Sequence, residues 1–215
     1  MRFLKPIAVL VFLLSITSLA MGQPAQPSLD GWGPYKFGMT LDDVKAVPGI
    51  TWNYIRPIDL QKFHKTLNAS LSSTHANAEE GGLTFRFAGL FFNSDNKLIA
   101  VTLMQNIQDQ CESTYQNVLR DEENKYGSFG PHEHPPLPSV ITSSVDNVPG
   151  GTSRYEYTEV QGPGAGYPIF SADTWRSFDS GRTMRVRMVG SDQIKAGCQL
   201  SLAFQSQDNV VDRPD

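Results

Sequence analysis

The sequence is poor in the residues that build enzymatic sites. Its 215 residues include two cysteines and four histidines, and it contains neither a G-x-S-x-G motif nor a C-x-x-C pair. The acidic pairs Glu79-Glu80 and Glu122-Glu123 are adjacent in sequence. Adjacent carboxylates point apart on a strand and lie about 100° apart on a helix. The sequence therefore predicts no catalytic residues and no cofactor.

Positive charge is scarce as well. The chain has 18 lysines and arginines against 22 aspartates and glutamates, which gives a formal net charge of −4. Proteins that bind nucleic acid carry clustered basic residues that neutralise phosphates. The composition therefore argues against nucleic acid as a partner.

Long apolar runs are confined to the N-terminus. Two basic residues precede an apolar stretch over residues 7–14, and a small-residue A-x-G site ends at Gly22. This layout is typical of a secretory signal peptide over residues 1–22. The alternative, an uncleaved membrane anchor, needs an apolar stretch of roughly 20 residues. We predict a periplasmic or secreted protein whose mature chain, residues 23–215, is a single domain with no membrane span.

The two cysteines, Cys111 and Cys198, lie far apart in the exported part of the chain. An isolated pair in an oxidising compartment is typical of a structural disulfide. A redox-active pair is the alternative, but that chemistry favours the close C-x-x-C spacing. We therefore predict a disulfide between Cys111 and Cys198.

The stretch KFGMTLDDVKAVPG, residues 36–49, carries the signals of a short helix. Thr40 and Asp43 have the spacing of a capping box, in which each side chain accepts from the other residue's backbone N–H. Pro48 lacks a backbone donor, so we expect the helix to stop near Val47. The motif is thereby accounted for by helix initiation and termination.

A second helix is predicted between Asp109 and Gly127. Asp109 as N-cap, with Glu112 three residues later, repeats the capping pattern, and glycine is favoured just after a helix. The residues that share one stripe at helical spacing are Cys111, Tyr115, Val118, Leu119, Glu122 and Tyr126.

Alternating apolar residues predict a set of strands. LTFRF and a hairpin turned at residues 94–96 precede the second helix, and SVITSSV, SRYEYTEV, DTWRSFD, TMRVRMV and CQLSLAF follow it. In the last of these strands, Cys198 lies on the apolar face. Helix residue Cys111 must pack against that face for the disulfide to form. We predict an α+β fold, an antiparallel sheet with two helices packed on one face. The alternative is a tandem helix-plus-strands repeat with halves 28–107 and 108–215.

The stretch G-M-T-L-D-D-V, residues 38–44, with Pro48-Gly49 and hairpins after it, resembles the start of SmpA/OmlA (BamE-like) and β-lactamase-inhibitor-protein-like exported domains. The W-G-P-x-x-F-G-M-T opening at residues 32–40 is similar to that of uncharacterised exported bacterial proteins with a helix-borne cysteine and a cysteine in the last strand. The resemblance implies a curved antiparallel sheet that binds other proteins without catalysis. The chain lacks the lipid-accepting cysteine of the outer-membrane members.

His132 and His134 have the spacing of metal ligands. A third ligand would come from His64 or His75. Glycine and proline residues flank the pair on both sides, and such a loop positions ligands poorly. A metal site at His132 and His134 and a loop without metal are the two interpretations.

Arg185 and Arg187 alternate with apolar residues in TMRVRMV, so both point to one side of a strand. Arg176, on the preceding strand, extends this predicted ladder. Trp175 is either part of a carbohydrate- or protein-binding surface or a core residue. A ladder of this kind fits an anionic ligand or an acidic partner surface. A solvated sheet face is the other interpretation.

Export and fold signals without a catalytic grouping predict a non-catalytic binding or inhibitor-type module for a protein or another envelope component. The alternative is a small hydrolase or metal-dependent enzyme whose residues converge only in three dimensions.

Overall fold

Most of the described chain is β-structure. The computed structural model describes residues 28–55, 67–129, 141–148, 151–160, 169–190 and 197–206. Its strands are β1 (Gly31–Trp32), β2 (Tyr35–Lys36), β3 (Asn53–Ile55), β4 (Ala69–Ser73), β5 (Ala78–Glu80), β6 (Leu83–Phe85), β7 (Phe87–Phe92), β8 (Leu98–Ile107), β9 (Ile141–Val148), β10 (Gly151–Val160), β11 (Ile169–Phe178), β12 (Thr183–Gly190) and β13 (Cys198–Gln205). Its helices are α1 (Leu41–Ala46) and α2 (Cys111–Tyr126).

Nine of these strands form one antiparallel sheet in the order β3-β4-β7-β8-β13-β12-β11-β10-β9. From β9 to β13 each strand pairs with its neighbour in sequence, which makes this part a meander. The last strand, β13, then pairs with β8. Strands β3, β4, β7 and β8, which precede α2, therefore share one continuous sheet with the five strands that follow it.

The capping box predicted for α1 is confirmed. The Asp43 backbone N–H donates to Thr40 Oγ1 at 3.1 Å, and the Thr40 N–H donates to Asp43 Oδ2 at 2.9 Å. Just before the helix, the Gly38 N–H donates to the Leu98 carbonyl in β8 at 2.9 Å. Of the residues in α1, Val44 is buried. The motif thus starts the helix and ties it to the sheet.

Helix α2 buries much of the stripe predicted for it, namely Tyr115, Val118, Leu119 and Glu122. Its C-cap is Gly127, as predicted. Its start is different, because Gln110 rather than Asp109 is the N-cap. The left-handed backbone of Gln110, with φ of 58°, moves the first turn one residue along, and no side chain caps it.

The predicted disulfide is confirmed. Cys111 at the start of α2 is bonded to Cys198 at the start of β13, with 6.0 Å between the Cα atoms. One turn further along the helix, the Tyr115 hydroxyl lies 2.6 Å from Thr174 Oγ1 in β11. Helix α2 is thereby fixed against β12 and β13.

The predicted α+β fold, with two helices packed on one face of the sheet, is wrong. The described chain is mostly strands, and its two helices are short. Helix α1 has six residues and buries Val44, which is too little to cover a sheet face. Helix α1 is followed by β3 to β8 and α2 by β9 to β13, and the division into halves 28–107 and 108–215 stays a prediction. Capping residues mark where a helix begins but not how much surface it covers.

A separate hairpin of β5 and β6 packs on α2. The two turn residues, Gly81 and Gly82, have φ values of 55° and 69°, as a two-residue type I′ turn requires. The turn is so close to the helix that a Cβ on Gly81 would lie 2.8 Å from Val118 Cγ1. Phe85 in β6 is fully buried. The hairpin tip is therefore held in place by α2.

Candidate functional site

A cleft of about 460 Å³ opens beside the base of the β5–β6 hairpin. Three segments form it: the turn after β4, the junction between β6 and β7, and the end of β8 with the turn that follows. The lining residues are Thr74, His75, Arg86, Phe87, Gln105, Asn106 and Gln108. Sites for small ligands have volumes of roughly 300 to 1,000 Å³. The cleft therefore has the size of a small-ligand site.

Hydrogen bonds to the backbone hold the cleft walls together. The Ala76 N–H donates to the Arg86 carbonyl at 2.9 Å across the base of the hairpin. The Arg86 N–H in turn donates to Gln105 Oε1 in β8 at 3.1 Å. The Gln105 amide is oriented by its own donation to the Asn106 carbonyl, also at 3.1 Å. These hydrogen bonds connect the segments that carry His75 and Arg86 to each other and to β8.

The cleft presents cationic and neutral polar groups. None of its lining residues is an aspartate or glutamate, and the Arg86 guanidinium makes no ion pair within the described part of the chain. His75 Nδ1 lies 2.9 Å from Thr74 Oγ1. The other ring nitrogen, Nε2, has no hydrogen-bond partner among the described residues. A recess lined by one sign of charge concentrates the electric field and attracts ions of the opposite sign.

The predicted arginine ladder is divided between the two faces of the sheet. Trp175 pairs with Arg185, and Asp173 pairs with Arg187, whereas Arg176 pairs with Met184. Residues paired directly across two strands share a face. Arg176 therefore lies on the side of the buried Met184, opposite Arg185 and Arg187.

Arg185 is held within the protein by a carboxylate. Its Nε and one terminal nitrogen donate to the two oxygens of Asp173 at 2.7 and 2.5 Å, and its Cζ lies 4.6 Å from the centre of the Trp175 ring. The side chain of Arg185 is 12% exposed. Arg187 Nε lies 3.3 Å from Asp173 Oδ2, and its side chain is 41% exposed. Of the two arginines on this face, Arg187 is the one whose charge is well exposed to solvent.

Arg176 closes the C-terminal end of α2. Its guanidinium donates to the Ser128 carbonyl and lies 4.9 Å from the centre of the Phe178 ring. A cation at this position complements the partial negative charge of the helix C-terminus. Burial lowers the pKa of Arg176, and the Glu123 carboxylate opposes that shift. The role that the structure supports for Arg176 is in stability.

We expect Arg176→Ala to lower the free energy of unfolding by about 2 kcal/mol, since the change removes a buried charged donor. Arg120→Ala is the matched control, because Arg120 is exposed on α2 and bonds Asn117. Urea unfolding of both variants measures the difference. Equal losses of stability would show that Arg176 does not support the end of α2.

Two acidic residues, the partly buried Glu80 and the buried Glu122, meet where the hairpin packs on α2. Glu80 accepts from Trp32 Nε1 at 2.9 Å and forms an ion pair with Lys125. Lys125 Nζ lies 3.4 Å from Glu122 Oε1, and Glu122 is fully buried. Burial and then the Glu80 charge raise the pKa of Glu122 to about 8. Glu122 is therefore protonated at neutral pH.

The predicted metal residues His132 and His134 lie outside the described residues, as does His64. His75 is described, and it lies in the cleft. In the described ranges, no three histidine, cysteine or acidic side chains are grouped as metal ligands. The metal prediction for His132 and His134 stays a prediction.

Comparisons with protein-family models, with curated proteins and with solved structures find no match to this chain. Among the described helices, none combines the length and the apolar composition needed to cross a bilayer.

Sequence reasoning did not find the cleft. The sequence predicts His75 only as a candidate third metal ligand, and no motif marks Arg86. One signal was present: Gly81-Gly82 between two short strand-like runs predicts a tight hairpin. That hairpin would have brought the segment that holds residue 75 to the segment that holds residue 86, since Ala78 pairs with Phe85.

Proposed function

We propose that the protein is an exported, non-catalytic binding module whose cleft receives a carboxylate group of a protein or another envelope component. The observation that carries the proposal is that Arg86 and His75 line one recess whose lining contains no carboxylate. The chain as a whole is acidic, with a formal charge of −4. A cationic recess in such a protein is selective, because most of the surface repels anions.

The groups in the cleft fit a carboxylate. A guanidinium presents a planar fork of donors that matches the two oxygens of a carboxylate. An imidazole N–H of His75 and the side-chain amides of Asn106 and Gln108 can donate further hydrogen bonds. Phe87 supplies an apolar surface for the atoms next to the carboxylate. The volume leaves room for about one residue or one sugar ring beyond that group.

The disulfide supports the export part of the proposal. Bonds of this kind persist in oxidising compartments and are rare in the cytosol, and Cys111 and Cys198 are paired. The N-terminal layout of residues 1–22 supports the same destination.

The proposal predicts that Arg86→Gln weakens binding of a carboxylate probe by about tenfold or more, because a charge-assisted hydrogen bond contributes roughly 1.5 to 3 kcal/mol. The protein is residues 23–215 with the disulfide intact. The probes are an N-acetylated dipeptide with a free C-terminal carboxylate and a uronic-acid disaccharide. Titration calorimetry measures each affinity. Arg120→Gln, at an exposed position on α2, is the control and should bind like the original chain.

Neutral forms of the same probes, the dipeptide amide and the disaccharide methyl ester, separate charge recognition from shape recognition. We expect the acids to bind and the neutral forms to bind at least tenfold more weakly. The two acids together distinguish a peptide source of the carboxylate from a glycan source. Unchanged affinity in Arg86→Gln, or binding by neither acid, would contradict the proposal.

Hydrolysis is the second candidate, and one contact favours it. The hydroxyl of Thr74 lies 2.9 Å from His75 Nδ1, which is the spacing of a nucleophile and a base. A catalytic imidazole is usually oriented by a third group, and the cleft lining contains no carboxylate for that role. Turnover of an ester probe that Thr74→Val abolishes would favour the hydrolase over the binding module.

A further inference from the structure

The β5–β6 hairpin connects the cleft to the buried acidic group. At its base, the hydrogen bond between Ala76 and Arg86 joins the two chain segments that carry His75 and Arg86 of the cleft. His75 immediately precedes this hydrogen-bonded base. At its tip, Glu80 and the two turn glycines lie against α2. A shift of the tip is therefore transmitted along two short strands to His75 and Arg86.

The tip is docked by charge as well as by close packing. Lys125 of α2 pairs with Glu80, and Trp32 donates to the same carboxylate. A Cβ on Gly82 would lie 2.8 Å from Asp121 Oδ2, which shows how little space separates the turn from the helix. Docking therefore depends on the charge balance between the end of β5 and α2.

Glu122 controls that balance. The charged and titratable groups around it are Glu80 from β5 and Asp121, Lys125 and Tyr126 from α2, of which Asp121 lies next to Gly82 of the turn. Its Oε2 atom is buried without a hydrogen-bond partner in the described part of the chain. While Glu122 is protonated it carries no charge, so the positive charge of Lys125 neutralises Glu80. When Glu122 ionises, one lysine faces two buried carboxylates, and Glu80 is repelled.

We propose that the hairpin is a proton-controlled arm: protonated Glu122 keeps its tip docked and the cleft formed, and ionised Glu122 releases both. This inference concerns the regulation of the cleft and rests on the proposed function. Since burial and Glu80 raise the pKa of Glu122 to about 8, the release falls in mildly alkaline conditions.

Hydrogen exchange tests the arm without any ligand. The protection of the amides in β5 and β6 is compared at pH 6.5 and pH 9, after correction for intrinsic exchange. We expect protection of these amides to fall at least fivefold more than that of β12 in the original chain. In Glu122→Gln, which resembles the protonated acid, the two strands should respond alike. An equal loss in both proteins would overturn the inference.

Glu80→Gln is a second variant, because it leaves Lys125 to neutralise Glu122 alone. We expect it to remove the loss of hairpin protection at pH 9 as well. A loss as large as that of the original chain would show that repulsion between the two carboxylates is not the cause.

The dipeptide acid links the arm to the cleft. Its affinity for the original chain should fall at least threefold between pH 6.5 and pH 9, while its affinity for Glu122→Gln falls less than half as much on a logarithmic scale. The two proteins differ only at residue 122, so the pH effects of all other groups are common to both in this comparison. Parallel pH profiles would overturn the inference and leave the proposed function intact. Absence of binding at every pH would instead overturn the proposed function, and hydrogen exchange would still decide whether the arm moves.

Discussion

Replacing Cys111 and Cys198 together with alanine is expected to lower the free energy of unfolding by about 4 kcal/mol. The disulfide closes a loop with a sequence separation of 87, and the chain-entropy estimate for a loop of that length is roughly 4 to 5 kcal/mol. Cys198 is fully buried, so lost packing adds to the effect. A domain with a free energy of unfolding of 5 to 15 kcal/mol would lose much of its stability.

Urea unfolding of the oxidised chain, the reduced chain and the double alanine variant measures this effect. The reduced chain should lose most of the stability that the variant loses, since both lack the cross-link, and the variant should lose somewhat more because it also lacks the sulfur atoms. A change below about 1 kcal/mol in both would show that contacts such as Tyr115 with Thr174, rather than the disulfide, hold α2 on the sheet.

Glu122→Gln is expected to remove a large pH dependence of stability. The pKa of Glu122 is raised from the ordinary value of 4.5 to about 8 in the folded protein. Between these values the folded state binds more protons than the unfolded state. The free energy of unfolding therefore falls as pH rises through this window, by on the order of 1 kcal/mol per pH unit. Below pH 4.5 Glu122 is protonated in both the folded and the unfolded state, so it adds no pH dependence to the free energy of unfolding.

The measurement is the difference in unfolding free energy between Glu122→Gln and the original chain from pH 5 to pH 9. We expect the variant to gain stability relative to the original chain by a few kcal/mol across that range, with little change below pH 5. Glu112→Gln is the control, because Glu112 is exposed in the first turn of the same helix. A pH-independent difference would contradict a protonated, buried Glu122.

Local features were well predicted from sequence where neighbouring residues determine them. The capping box of Thr40 and Asp43 is a contact over three residues, and it forms as expected. The buried stripe of α2 follows from helical periodicity alone. The disulfide was predicted across a long stretch of sequence because the chain contains only two cysteines, which leaves a single pairing.

Tertiary arrangement was harder to predict, and the fold class shows why. Strong helix signals at α1 concern six residues that bury little surface, whereas the long meander from β9 to β13 carries weaker signals per residue. The face of the sheet on which Arg176 lies was also predicted wrongly. Strand alternation puts it opposite Trp175, and the register with β12 then pairs it with Met184, but that register is not visible from one strand.

Apart from the Gly81-Gly82 hairpin, the cleft could not be predicted, because it depends on contacts between residues that are distant in sequence. Thr74 and Gln108 lie at opposite ends of its sequence range, and a backbone N–H of Arg86 meets the Gln105 side chain across two strands. No motif spacing encodes such a meeting. The same hairpin that forms the cleft also reaches Glu122, so one supersecondary element joins the two features with the most distinctive chemistry.

The central claim, that the cleft is where this protein binds a carboxylate, is tested most directly by mapping backbone amide resonances during titration with the dipeptide acid. The account predicts that the largest shifts cluster at Thr74, His75, Arg86, Phe87 and Gln105 to Gln108, and that they vanish in Arg86→Gln. Shifts centred instead on Trp175 and Arg187, and unaffected by Arg86→Gln, would contradict it.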